Sequence, residues 1–358
     1  MINRIKTPQD PEMAQLCQQL AAASGDLEQT GGWPGEQLRL CGQYGVFEWF
    51  ISPQAGGQGW DGVDITRAYL ALGQACLTTA FVITQRTGAC QRIAGSHDEA
   101  LKEALLPDLL SGRRFATVGI SHLTTSRRHL GKPVLLAQET PDGFVLDGYS
   151  PWVTGAPQAD TVVVGASLED GRQVLIALPM DLPGISCPAP AELVGLTASQ
   201  TGPVECRQVE VDQRYVLAGP VEGVLQQGSG AGTGGLQTST LALGLAAAAL
   251  TYAQGEAAQR SHLDAPVQAL QDEHGLLCDH LLAAAAGTPQ RSNEDLRVRV
   301  NSLVLRATQV GLAAAKGTGY AAGHSAGRWC REALFFLVWS CPQPVVEKNL
   351  RELAGMAV

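Results

Sequence analysis

GYSPWVTGAPQAD, residues 148–160, follows one strand-like run, PDGFVLDG, and precedes another, TVVVGAS. It therefore reads as a bend between two strands. In an extended segment, residues two apart share a face, which sets the indole of Trp152 beside the hydroxyl of Thr154. A flat apolar plate next to a hydroxyl suits a planar heteroaromatic ligand with a hydrogen-bonding edge. It suits equally a core tryptophan beside a turn hydroxyl. The residues by themselves leave both readings open.

Around this stretch, residues 113–222 are rich in Val, Thr, Gly and Pro and show no helical period. PVLLAQET and GFVLDG flank Pro141-Asp142-Gly143, where proline fixes φ and glycine accepts positive φ. TVVVGASL, QVLIALP and CRQVEV continue the pattern, so a small antiparallel β-domain is expected. Residues 1–112 read as helices with loops. EMAQLCQQLAAASG and EQLRLCGQYGVFEWF have helical spacing, and VDITRAYLALGQACLTTAFVITQRTGACQRIAG reads as a largely apolar helix pair with Asp64 as its N-cap. HDEALKEALLPDLLSG is an amphipathic helix stopped by Pro107 and Gly112. Residues 223–358 return to helical periodicity in four stretches able to pack as a bundle. GSGAGTGG, 228–235, lacks the strand-then-helix context of a phosphate loop and reads as a linker.

Composition narrows the functions. A chain of 358 residues points to two or three domains, and 45% hydrophobic with 16% charged residues describes globular protein. A net charge of −9 argues against a general nucleic-acid binder. Nine scattered cysteines without a CxxC pair argue against a zinc site or disulfide framework, so no metal is expected and a reducing cytoplasm is the natural setting. MINRIKTPQDPEM has no apolar signal core. The most apolar run, LALGLAAAALTYAQ, is too short and alanine-rich to span a bilayer.

Helical domain, β-domain, helical bundle, in that order, together with four local motifs, resembles the acyl-CoA dehydrogenase family of flavoproteins from about Phe47 to Leu353. The first motif is HDEALKEALLPDLLSGRRFATVGIS, similar to the family's helix and following strand that lie along the flavin. The resemblance gives Val118, Ile120 and Ser121 those positions, while His122 and Leu123 depart from the family's Thr-Glu-Pro. The family's Gly-Ser-Asp becomes Ser126-Arg127-Arg128. The second is the opening stretch, which looks like the family's Trp-Ile-Thr segment and implies flavin contacts for Trp152 and Thr154. The third, RSHLDAPVQALQ, resembles a run whose arginine and glutamine reach the FAD of a neighbouring subunit, here Arg260 and Gln271. The fourth, KGTGYAAGHSAGRWCREALFFLVWSCPQPV, is similar to the family's Gly-Gly-x-Gly-Tyr and Arg-x-x-Arg-Asp-Ala runs. It brings Gly317 to a pyrophosphate contact, with Lys316 for the first glycine and Glu332 for the aspartate.

The resemblance implies an α+β multidomain fold: an N-terminal helical domain (1–112), a middle antiparallel β-barrel domain (113–222) and a C-terminal four-helix bundle domain (223–358). It further implies bound FAD, an acyl-CoA or other acyl thioester as substrate, and a homodimer or homotetramer. One part is missing. α,β-Dehydrogenation needs a base within reach of the α proton, and the family's usual glutamate aligns with Ser340. The alternative helix-borne position falls near Thr238 and Ser239. A serine takes this proton only with a base of its own. Glu347, His122 and His324 are the candidates for a relocated base. Flavin-dependent monooxygenation and a non-enzymatic paralogue with weakened FAD binding are the other readings. Cys341 has no neighbour in sequence that would activate it. Arg127, Arg128, His129 and Lys132 form a basic cluster that suits a phosphate or a solvated loop equally.

Overall fold

The computed structural model describes residues 3–124, 133–226 and 235–356. The basic cluster at 127–132 and the glycine-rich stretch 228–234 lie outside them. The chain opens with five helices, α1 Pro11–Thr30, α2 Gly35–Gln43, α3 Gly62–Ala75, α4 Leu77–Ala94 and α5 Glu99–Ser111. Asp61, not Asp64, caps α3: its carboxylate accepts the Asp64 N–H at 2.9 Å, the usual N-cap to N3 bond. α5 runs through Pro107 and ends at Gly112, which takes φ 79°. Proline is tolerated there because Pro107 and Glu103, whose carbonyl loses its partner, both face solvent.

Eight strands follow: β1 Ala116–Gly119, then a single helical turn α6 Ser121–Thr124, β2 Leu135–Thr140, β3 Gly143–Val153, β4 Thr161–Ser167, β5 Gln173–Pro179, β6 Ile185–Ser186, β7 Gly202–Asp212 and β8 Val216–Val221. They form one sheet in the order β6-β7-β3-β2-β4-β5-β8, with β1 also on β4. Most pairings are antiparallel, but β1 and β2 run parallel to β4. The run Val162–Ala166 is apolar throughout because β4 is covered on both faces. Val162, Val164 and Ala166 point into the core of the sheet domain with Phe144, Ile176 and Val204, whereas Val163 joins Ile93 and Leu105 of the helices. β3 does not bend at residue 148. Gly148 (φ 119°) sits at a register shift and lets the strand continue through Trp152. The turn comes at Gly155, φ 66°.

The chain closes with α7 Gln237–Ala257, α8 Asp264–Ala285, α9 Asn293–Gly319, α10 Ser325–Leu334 and α11 Gln343–Leu353. α7 is buried nearly all round, which explains a sequence of Leu, Ala and Gly with little amphipathic contrast. Its Gly244 lies against the backbone of α3: a Cβ there would stand 2.7 Å from the Leu70 carbonyl oxygen. Tyr69 and Leu72 of α3 thus share one hydrophobic core with Leu241 and Leu245 of α7 and Leu303 of α9. The sheet sits against this assembly through α4 and α5, whose Ile93 and Leu105 pack with Ala116 and Val163.

Candidate functional site

A cavity of about 710 Å³ opens where sheet, N-terminal helices and bundle meet, within the range of small-molecule sites. The sheet supplies Val118, Ile120, Ser121, Trp152, Thr154 and Thr201; α4 supplies Phe81, Thr84, Gln85, Gly88 and Arg92; the end of the bundle supplies Arg331, Leu334, Phe335, Val338, Trp339 and Ser340. Leu193–Leu196 close a fourth side, and Thr238 at the start of α7 also reaches it.

Local sequence sets this geometry. Gly119 lets β1 approach β3, since a Cβ would stand 2.8 Å from Ser150 Oγ. Gly155 turns the chain against Trp33, whose ring a side chain would strike. Gly195 brings its loop onto the α10 backbone at Arg331. Trp152 is left 46% exposed, whereas Thr154 is buried. Thr154 Oγ1 lies 3.1 Å from Thr201 Oγ1, which in turn is 2.8 Å from Ser199 Oγ, a short chain of hydroxyls. Ser121 Oγ is buried in the cavity wall with no partner among the described residues. An unmade hydrogen bond at a buried hydroxyl is costly. Placed on the same wall as a half-exposed indole, it fits a planar ring with a polar edge.

The lining carries positive charge and, among the described residues, no carboxylate. Arg331 pairs with Glu28, and Arg92 donates to the Gly88 carbonyl at 2.8 Å while burial holds its pKa below the usual value. Just behind Arg331 lies Glu332, fully buried. Its carboxyl is pushed up to about 7, chiefly by burial, against the pull of Arg328, whose Nε is 3.6 Å away.

Of the residues expected from sequence, Val118, Ile120, Ser121, Trp152, Thr154 and Ser340 come together in this cavity. Arg260, Gln271 and Gly317 do not line it. Arg260 pairs with Glu256 and donates to the Ala314 carbonyl at 2.6 Å. Gln271 donates to Gln254 at 2.8 Å. Gly317 is exposed beside the non-helical Lys316 in α9. The three candidate bases also lie off the lining. His122 Nε2 is 2.7 Å from the Gly165 carbonyl, and burial lowers its pKa, so the neutral ring donates there and Nδ1 has no partner among the described residues. His324 caps α10, its Nδ1 accepting the Ala326 N–H at 3.1 Å. Glu347 is exposed on α11 and accepts from Gln343. At Cys341, burial raises the thiol pKa while Arg297 opposes it.

Sequence reasoning passed over the α4 wall, although Phe81, Thr84, Gln85, Gly88 and Arg92 recur at helical spacing along one face. It also passed over the loop 193–196, which carries no local signal. Among the described residues there is no group of three or more potential metal-ligating side chains, and no helix is long and apolar enough to cross a membrane.

The family model described as "Acyl-CoA dehydrogenase, N-terminal domain" matches residues 12–113. A probable acyl-CoA dehydrogenase of Bacillus subtilis, YngJ, is 26% identical over 260 residues, 71% of this chain and 68% of that one. The mitochondrial short-chain specific acyl-CoA dehydrogenase of Mus musculus is 23% identical over 74% of this chain, and the match spans 65% of the mouse enzyme. Among solved structures, a glutaryl-CoA dehydrogenase from Mycobacterium smegmatis in complex with FADH2 superposes with a TM-score of 0.78 at 17% identity, covering 98% of this chain and 96% of that one. The three-part order and the cavity between sheet and bundle agree with these matches: residues 12–113 match the acyl-CoA dehydrogenase N-terminal domain, and the chain along most of its length is similar to members of that family.

Proposed function

We propose that this chain is an FAD-dependent oxidoreductase of the acyl-CoA dehydrogenase type that acts on an acyl thioester. The observation that carries the reading is the shared wall of Trp152, Thr154 and the Ser121 hydroxyl, which has no partner among the described residues, in a cavity of about 710 Å³. In this reading Trp152 packs on the ring of the cofactor, Ser121 and Thr154 hydrogen-bond its polar edge, and Val118 and Ile120 flank it. Bound FAD would supply the two-electron acceptor that α,β-dehydrogenation requires. The acyl part would rest between α4 and the segment 334–340, where Phe81, Phe335 and Trp339 exclude water. Arg260, Gln271 and Gly317 would serve a cofactor held by a neighbouring copy in a homodimer or homotetramer. The partition at 1–112, 113–222 and 223–358 and a cytoplasmic setting belong to the same proposal.

The α proton poses the difficulty. With no carboxylate on the described lining, the base is relocated or absent. That same observation favours a second reading, flavin-dependent monooxygenation on this fold, which abstracts no α proton. A non-enzymatic paralogue with weakened FAD binding is the third.

Purified protein should be yellow, and anaerobic titration with a panel of acyl-CoAs should bleach the flavin. No bleaching with any thioester, together with oxygen consumption by the reduced protein, assigns the monooxygenase instead. Colourless protein that ignores added FAD sinks both.

A further inference from the structure

Arg297 on α9 is a buried cation, 5% exposed. Its pKa is pushed down to about 10 by burial. A buried charge normally has a counter-charge, yet the bonds of Arg297 among the described residues go to uncharged groups. Nε donates to Asn301 Oδ1 at 2.8 Å; Nη2 donates to the carbonyls of Phe336 at 3.2 Å and Trp339 at 3.0 Å. These two carbonyls belong to the 3₁₀ turn Phe335–Leu337 and the residues just after it, where a helical segment ends and its carbonyls lack partners. Asn301 reinforces the arrangement, donating to the Phe336 carbonyl at 3.1 Å and to Asn349 Oδ1 at 3.0 Å. Asn349 donates back to the Val298 carbonyl at 3.2 Å. α9 thereby grips the segment, and Asn349 ties α11 to α9 beside it.

That segment is a cavity wall. Trp339 stacks on Phe335 with ring centroids 5.0 Å apart and stands edge-on to Phe81, also at 5.0 Å. The next residue, Ser340, takes φ 46°, a left-handed conformation that a side chain resists and that persists only where its surroundings impose it.

We propose that Arg297 is a positioning residue for this cavity. Through the Phe336 and Trp339 carbonyls it holds Trp339 and Ser340 as the wall against which the acyl part of the substrate rests, and so governs affinity for the thioester rather than for the flavin. This rests on the reading of the cavity given above.

The test uses the full chain as Arg297→Gln and Arg297→Lys, each with and without Ser340→Gly. FAD affinity is read by flavin fluorescence and acyl-CoA affinity by the perturbation of the bound flavin spectrum. Exposure of Trp339 is read by acrylamide quenching against Trp339→Phe versions. Either Arg297 variant should lose about tenfold in acyl-CoA affinity, the scale of one hydrogen bond to a charged group, and keep FAD affinity within about threefold. Trp339 should become more quenchable. Ser340→Gly, which needs no help to hold positive φ, should restore much of the thioester affinity. Unchanged acyl-CoA affinity, or no rescue by Ser340→Gly, overturns the proposal. So does a parallel loss of FAD and thioester binding, which would mark Arg297 as structural only. If Arg297→Gln does not fold, Arg297→Lys, which keeps the charge and loses the fork, carries the test. Wild-type protein that binds neither ligand sinks the reading of the cavity, while Trp339 quenching still decides what Arg297 holds.

Discussion

Glu332 and Ser121 show how single side chains bear on the molecule in opposite ways. Glu332 is an acid whose folded pKa, about 7, stands above its ordinary 4.5. Between those values the unfolded chain releases a proton that the folded chain keeps, so stability falls as pH rises through the window. Glu332→Gln removes this titration. Thermal melts between pH 4.5 and 7.5 should show a declining midpoint for the wild type and a flatter profile for the variant, a difference on the order of 1–3 kcal/mol. Equal slopes would mean that Arg328 already keeps the carboxylate charged. Ser121 carries a buried hydroxyl with no partner among the described residues. Ser121→Ala should therefore leave the midpoint unchanged or slightly higher while weakening FAD binding about fivefold, the worth of roughly 1 kcal/mol. A drop in thermal stability without a change in flavin affinity would show that the hydroxyl serves the fold.

At the scale of elements, the crossing of α3 and α7 is the contact most sensitive to one atom. A Cβ on Gly244 would meet backbone, 2.7 Å from the Leu70 carbonyl oxygen and 3.0 Å from Gln74 N, and backbone cannot swing aside. Gly244→Ala should cost about 1–3 kcal/mol in urea denaturation. Gly255 on the same helix has nothing within 4 Å, so Gly255→Ala should be neutral or stabilising by up to about 1 kcal/mol. Similar effects at both positions would refute the close crossing. Elements were also where local sequence signals succeeded and failed. The periodicity of α1 was plain, as were the long apolar helical stretches of α3, α4 and α7 and the apolar runs of β4 and β5, because each pattern follows directly from burial. Pro107 misled because a proline's cost depends on whether the freed carbonyl meets water, which sequence does not state. Asp64 misled because Asp61, three residues earlier, offers the same chemistry. The bend expected within 148–160 is there, at Gly155, while Gly148 forms a bulge inside the strand.

The whole molecule is held together by direct packing of its first and last helical regions on each other rather than along the chain. The first and last helical regions share one hydrophobic core, while the sheet has its own. Hydrogen exchange should therefore find α3 and α7 opening together, and Gly244→Ala should lower protection in both alike. Loss confined to α7 would show two independent units. The sheet wall of the site was legible because Trp152, Thr154 and the strand before Ser121 carry their pattern locally. The bundle wall was not: Arg297 reaches the Trp339 carbonyl across 42 positions, and no local pattern announces so distant a bond. The cavity wall at 334–340 has a further consequence for biogenesis. A ribosome builds chains from the amino end, so Trp152 and Ser121 emerge well before Trp339 and Ser340 exist. A nascent chain can present the ring-binding plate long before it can enclose anything against it. Full-strength capture of a prosthetic group is then a late event, and a cell short of that group would accumulate chains folded around an open crevice.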